Sequence, residues 1–266
     1  MKKNINKIIA LICAVAAIFC LYKIVSYQME LKAQQDKLKE VQEQTTEITE
    51  EEEPEDEAID LSIYNIPEKN IDFADLQANT NEDIYAWITI PDSNIDYPVL
   101  QHPEELDYYL HYNLDGSKGY PGCIYSQNVN AKDFSDFNTV LYGHNMKNGS
   151  MFANLHKFED QDYFDEHPYV YIYTPDGPLV FAVFAAYTSD DTYLMTYDYS
   201  TEETRQDYID MVMSKEGFFR EDVEVTPDSN ILTLSTCIGG KPNNRYLVAS
   251  VLVADGRVYS EIQEGQ

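Results

Sequence analysis

A cysteine, a histidine and an arginine stand where apolar runs of this sequence end or begin. Cys237 closes the run 231–237, Ile-Leu-Thr-Leu-Ser-Thr-Cys, and Arg245 opens the run 245–253, Arg-Tyr-Leu-Val-Ala-Ser-Val-Leu-Val. His144 follows Gly143 directly after Thr-Val-Leu-Tyr at 139–142. Runs of this composition read as strands. If the last two pair as an antiparallel hairpin, Cys237 and Arg245 face each other with Cα atoms about 4.5–5.5 Å apart. Strand ends converge at the rim of a barrel, which is where His144 is expected to join them. The chemistry on offer is nucleophilic. A free thiol with a pKa of about 8.5 is only a few per cent thiolate at neutral pH, so Cys237 needs a base or a cation beside it. His144 supplies a group that exchanges protons, and Arg245 a permanent charge with directed donors. Taken singly, each has an ordinary structural explanation: a small buried apolar side chain, a turn residue, a solvated strand start.

The elements that must hold these residues are mostly short and extended. Strands are expected at 86–90, 95–100, 122–125, 139–142, 169–173, 179–188, 231–234 and 245–253, each rich in β-branched and aromatic residues and bounded by turn signals. Eight such strands with few helices indicate a mainly β fold, an eight-stranded closed or nearly closed barrel. Helices are expected at 151–158 and at 201–214, the second with Tyr208, Met211 and Val212 on one face. One or two short helices fall within 67–85, with Phe73, Leu76, Ile84 and Tyr85 as core contacts.

Charge divides the chain into three parts. The 266 residues carry 47 acids against 18 bases, a formal charge of −29, which excludes nucleic acid as a partner. Residues 1–39 hold seven Lys and two acids, and 40–60 hold eleven acids and no base. After Lys2, Lys3 and Lys7 the stretch 8–22 is uncharged, and Lys23 can snorkel so that Ile24 and Val25 extend it. Its one small-x-small site, Ala14-Val15-Ala16, lies inside the apolar run, so an uncleaved signal anchor is favoured over a cleaved leader. The lysines before the span keep that end cytoplasmic and put the rest outside the cell. The expected organisation is a cytoplasmic tip and transmembrane anchor at 1–25, a juxtamembrane helix and acidic linker at 26–62, and a globular domain at 63–266. The acidic tract reads as a stalk extended by its own repulsion.

The order and spacing of the site motifs narrow the choice further. Leu141-Tyr-Gly-His-Asn-Met-Lys-Asn-Gly-Ser-Met-Phe-Ala-Asn-Leu155, followed by Thr233-Leu-Ser-Thr-Cys237 with an Arg eight residues on, resembles the class B sortases of Gram-positive bacteria. The resemblance covers about residues 67–253, including the Trp87 to Leu100 segment and the helix inserted before the last two strands. It implies an eight-stranded sortase-type barrel and a membrane-anchored cysteine transpeptidase, with His144, Cys237 and Arg245 at the positions of the family's catalytic trio. Such enzymes cut a C-terminal sorting signal of surface proteins after Thr and pass the acyl group to an amine of a cell-wall precursor or a pilin lysine. One departure stands out. Class B loops between the Cys and the Arg commonly carry acidic or aromatic residues, whereas this one reads Ile-Gly-Gly-Lys-Pro-Asn-Asn.

Asn145, Ser235 and Thr236 are expected to shape the site, the last two as strand-end hydrogen bonders. Cys123 reads as structural, Cys13 and Cys20 as apolar filler of the anchor, and His102, His111, His156 and His167 as exposed loop or helix residues without partners. Asp190, Asp191, Asp198, Glu202 and Glu203 gather before the second helix without the ligand spacing of a Ca²⁺ loop, and no C-x-x-C pair is present, so no metal and no cofactor are assigned. The expected state is a monomer on the cell membrane, single-pass, with its catalytic domain outside. Two competing readings are a surface-displayed binding module in which the trio is incidental, and a thiol peptidase that releases peptides to water.

Overall fold

The computed structural model describes residues 2–45 and 61–257. The chain divides into two compact units, residues 1–43 and 44–266. The first is one continuous helix, α1 (Lys2–Gln44), which runs through residue 25 without a break. Its 43 residues make it about 65 Å long at 1.5 Å per residue, twice the hydrocarbon thickness of a bilayer. Within Cys13–Gln44 an 18-residue window has a mean hydropathy of 1.3, so the helix is long and apolar enough to cross a membrane. Most of the acidic tract lies outside the described residues.

The second unit holds nine strands among its described residues: β1 (Ile84–Thr89), β2 (Asp96–Leu100), β3 (Ile124–Ser126), β4 (Asn138–Tyr142), β5 (Tyr169–Thr174), β6 (Gly177–Asp190), β7 (Gly217–Phe219), β8 (Ile231–Ile238) and β9 (Lys241–Asp255). They pair in the order β5-β1-β2-β3-β4-β8-β9-β6-β7, and β6 also pairs with β5. That pairing closes eight strands into a barrel and leaves β7 as a ninth on the flank of β6. The strand β6 reaches all three of its neighbours because its register shifts twice, at Val180/Phe181 and Val183/Ala185, and such bulges bend a long strand. The sequence shows no sign of β7, whose three residues are too few for an alternating pattern.

Short helices close the barrel's ends and flanks: α2 (Phe73–Asn79), α3 (Tyr108–His111), α4 (Gln161–Glu166) and α5 (Glu202–Met213). The expected helix at 151–158 is a 3₁₀ helix, Phe152–Glu159. Thr201 caps α5, its hydroxyl accepting from Thr204 N while Thr204 Oγ1 accepts from Thr201 N. Tyr208, Ile209 and Val212 of α5 pack into one cluster with Val140, Tyr187 and Leu247 from three strands. Phe73, Leu76, Ile84 and Tyr85 are buried as expected.

Two strand pairings bring the chemistry-bearing residues to one rim. The strand β4 runs parallel to β8 with Tyr142 opposite Ser235, and β8 runs antiparallel to β9 with Cys237 opposite Arg245. Parallel neighbours finish at the same rim. Two residues beyond Tyr142 is His144, and two beyond Ser235 is Cys237.

Candidate active site

The corner that carries His144 is fixed to β8 by its backbone. Gly143 N donates to Ser235 O at 3.2 Å, and the buried Thr236 hydroxyl donates to Gly143 O at 2.8 Å. Gly143 itself leaves no room for a side chain, since a Cβ there would lie 2.5 Å from Ile124 Cδ1 and 2.7 Å from Phe152 Cγ. Ser235 and Thr236 therefore act on the rim by joining the histidine corner to the cysteine strand. On the far side of the corner, Phe152 N donates to His144 O at 3.0 Å.

His144 is partly buried, and its Nε2 lies 2.8 Å from Leu110 O. A carbonyl only accepts, so Nε2 carries the proton and Nδ1 the basic lone pair. Burial pulls the imidazole below its ordinary value; the Leu110 carbonyl opposes this, and neighbouring His111 adds to it. The ring of Tyr120 sits against it with centroids 5.1 Å apart.

Arg245 is oriented by its own hairpin. Nη1 donates to Pro242 O at 2.9 Å and to Asn244 O at 3.0 Å. The expected seven-residue loop between Cys237 and Arg245 is a tighter structure. Ile238 pairs with Lys241 across a two-residue turn, Gly239-Gly240, and the strand β9 starts four residues before Arg245. The turn can be this short because Gly240 adopts φ +77°, a conformation that costs glycine little. The register then jumps so that Cys237 and Arg245 remain partners.

Cys237 is exposed at the mouth of a cleft of about 410 Å³ that His144 and Arg245 also line. The opposite walls come from Leu106, Asp107 and Leu110 and from the segment after β6, including Tyr193. These walls are tied together: Gln127 Nε2 donates to Asp107 Oδ1 at 2.8 Å, and Tyr193 OH donates to Gln127 Oε1 at 2.6 Å. All four cysteines are free thiols.

Two residues reach the backbone of the cysteine from the side. Asn145 Nδ2 donates to Cys237 O at 2.9 Å and lies 2.9 Å from His156 Nε2. The expectation of an exposed, unpartnered His156 is corrected: Nε2 is also 3.1 Å from Cys237 O, Nδ1 is 2.6 Å from Glu159 Oε1, and the ring stacks on Tyr246. The reason is the 3₁₀ helix after the histidine corner, which turns His156 back over the end of β8. A His-x-x-Glu spacing beside the Gly-His-Asn corner was the available signal. His102 and His167 also have partners, accepting from Glu105 N at 2.9 Å and facing Tyr163 O at 2.8 Å respectively.

The acidic cluster after β6 is used locally. Asp190 Oδ1 accepts from Thr192 N at 3.0 Å and Asp198 Oδ1 from Ser200 N at 2.9 Å, and the hydrogen bonds from those residues hold both carboxyls below the usual range. Among the described residues no three His, Cys, Asp or Glu side chains are grouped as a ligand set.

Comparison with known proteins places the chain in one family. The sortase domain family matches residues 88–253. Sortase B of Listeria monocytogenes is 35% identical over 164 residues, 61% of this chain and 65% of that protein, so the chain spans just under two thirds of the length of this curated relative. The crystal structure of sortase B from Bacillus anthracis in complex with AAEK1 superposes with a TM-score of 0.67 at 29% identity, covering 86% of this chain and 100% of that one. A Staphylococcus aureus sortase B–substrate complex gives a TM-score of 0.60 at 27% identity over 67% of this chain and 83% of that one.

Proposed function

Because this chain belongs to the sortase family, in its class B branch, we propose that it is a membrane-anchored cysteine transpeptidase that processes C-terminal sorting signals of surface proteins. The observation that carries this reading is the single cleft lined by Cys237, His144 and Arg245.

The Cys237 thiol passes its proton to the free Nδ1 of His144 and, as the thiolate, attacks the carbonyl carbon of the signal's Thr. Arg245, whose Nη1 is steadied by the hairpin carbonyls, donates to the oxygen on which negative charge develops. The C–N bond after Thr breaks, His144 gives its proton to the departing amine, and a thioester remains on Cys237. An incoming amine then attacks the thioester, loses a proton to His144 and expels the thiolate, which leaves a new amide. The depressed basicity of His144 suits an acid that must release its proton readily. The amine comes from a cell-wall precursor or a pilin lysine. Helix α1 serves as the anchor, with Lys2, Lys3 and Lys7 in the cytoplasm and the barrel outside the cell. The parts act as tip and anchor at 1–25, helix and acidic linker at 26–62 and a monomeric catalytic domain at 63–266. The existence of a Staphylococcus aureus sortase B–substrate complex among the similar structures supports a substrate bound to this fold.

The test is transfer. Full-length protein in detergent is incubated with Pro-x-Thr-Gly and Pro-x-Thr-Asn peptides, with and without triglycine. The expected product in the presence of triglycine is the Thr–triglycine amide. Hydrolysis alone would make the protein a thiol peptidase, and no cleavage across the panel would favour a binding module.

A further inference from the structure

The groups around the Cys237 carbonyl form a connected set of hydrogen bonds. Glu159 Oε1, 2.6 Å from His156 Nδ1, can only accept as a carboxylate, so Nδ1 carries a proton. In the neutral ring Nε2 is then an acceptor, and Asn145 Nδ2, 2.9 Å away, donates to it. An amide nitrogen has two hydrogens. The second goes to Cys237 O, also at 2.9 Å. His156 Nε2 also lies 3.1 Å from Cys237 O, so the ring flanks the carbonyl as well as the amide, and the carboxylate of Glu159 orients the ring that orients the amide that holds the peptide carbonyl of the nucleophile. The ring is further seated by stacking on Tyr246, next in sequence to Arg245, with centroids 5.2 Å apart.

We propose that His156, backed by Glu159, is a positioning residue that acts through Asn145 to hold the last turn-side peptide of β8, and with it the Cys237 thiol, in place for attack. Cys237 needs such a hold. It is exposed, and the ladder to β9 breaks its register immediately after it, at Cys237/Ile238, so strand pairing alone does not fix the peptide that comes next. Misplacing a reacting atom by about 1 Å costs on the order of 10²-fold in rate. Loss of a hold on the nucleophile's own carbonyl is therefore visible in turnover without any change in the groups that bind the peptide. The inference rests on the transpeptidase reading for its consequence in catalysis, though not for its geometry.

Three substitutions separate the relay from the stacking. His156→Phe keeps a ring for Tyr246 and loses the relay. His156→Gln loses the ring and offers an amide that accepts from Asn145 and donates to Glu159. His156→Ala loses both. Kinetics on the peptide that the unaltered full-length protein cleaves fastest should show kcat lowered about tenfold or more in the Phe and Ala forms. KM should stay within about twofold, and the Gln form should recover most of the rate. A second readout needs no substrate. In protein labelled with carbonyl-¹³C cysteine, the Cys237 resonance, identified by its loss in Cys237→Ser, should move upfield in the Phe and Ala forms and stay near its original position in the Gln form. A Phe form turning over within twofold of the parent, or a Gln form as slow as the Ala form, overturns the positioning role. If no peptide is cleaved, the transpeptidase reading fails and the resonance alone decides on the relay: an unmoved signal in the Phe form refutes it.

Discussion

Cys123 and Cys237 are chemically the same side chain in two regions of one barrel. Cys123 sits at the entrance to β3, buried, with its N–H given to Tyr109 O at 2.9 Å and its Sγ 3.6 Å from Tyr112 O. Burial, with Asp115 adding to it, pushes that thiol far up and keeps it protonated and inert. Cys237 stands exposed where β8 leaves the sheet, opposite an arginine and two residues beyond the register partner of the strand that delivers His144. The difference lies wholly in placement. A thiol packed behind the start of a strand is a small apolar filler, and one at the rim, where a parallel and an antiparallel neighbour both end, is brought into the same cleft as a histidine and an arginine.

Replacing each thiol in turn gives the largest contrast. Cys237→Ala should abolish peptide cleavage while the thermal midpoint stays within about 1 °C of the parent, as for surface changes of small effect. Cys123→Ala should do the reverse, keeping cleavage within about twofold and lowering stability by on the order of 1 kcal/mol. Cleavage that survives the first or fails in the second would break the comparison.

The next effect in size belongs to the cation. Arg245→Lys keeps the charge beside Cys237 and loses the planar fork. If directed donation to the oxyanion is its role, cleavage should fall about 10²–10³-fold, about 2.7–4 kcal/mol by analogy with losing one oxyanion donor, with the pH dependence of Cys237 alkylation unchanged. A Lys form within about threefold of the parent would reduce Arg245 to a source of charge.

Thr236→Val probes the joint between the two strands that meet at the rim. It removes the buried donor to Gly143 O and should destabilise the fold by about 1–3 kcal/mol, measured by urea denaturation, and slow cleavage through displacement of His144. The corresponding conservative change at the other thiol, Cys123→Ser, should leave the His144 corner and cleavage untouched.

The smallest effect is the pH dependence of folding. His144 is neutral-favouring in the fold because it is buried, so its folded value lies below the ordinary 6.5. Above that ordinary value both states are neutral and its contribution is fully present. As pH falls below it the unfolded chain takes up the proton first, and stability is lost until the folded value is passed. The parent should lose more thermal stability between pH 7 and pH 5 than His144→Gln. An equal loss would mean that the ring is not held neutral.

What was legible in the sequence were the features that periodicity and punctuation carry. Eight runs such as 169–173 and 245–253 announced the strands, and Cys237, His144 and Arg245 stood at their ends. The pairing of Cys237 with Arg245 came from the hairpin. The parallel pairing of β4 with β8, which brings His144 to the same rim, had no local signal, because its connection runs through other strands and helices. The three-residue β7 was too short to show a pattern, and the Gly239-Gly240 turn was absorbed into a longer loop because Lys241 and Pro242 look like loop residues. His156 shows little of its role locally for a related reason: its partners, Asn145 and Cys237 O, lie 11 and 81 residues away in the chain. Contacts of that range come from tertiary structure alone.

The destination of the acyl group decides which thiol is the nucleophile. Full-length protein incubated with the Pro-x-Thr-Gly and Pro-x-Thr-Asn panel without an amine, quenched in acid and mapped by peptide mass spectrometry, should carry the Thr-terminated acyl fragment on Cys237 and none on Cys123, and hydroxylamine should remove it. Cleaved peptide with no adduct on Cys237, or an adduct on another residue, would contradict the assignment of the rim thiol as the nucleophile.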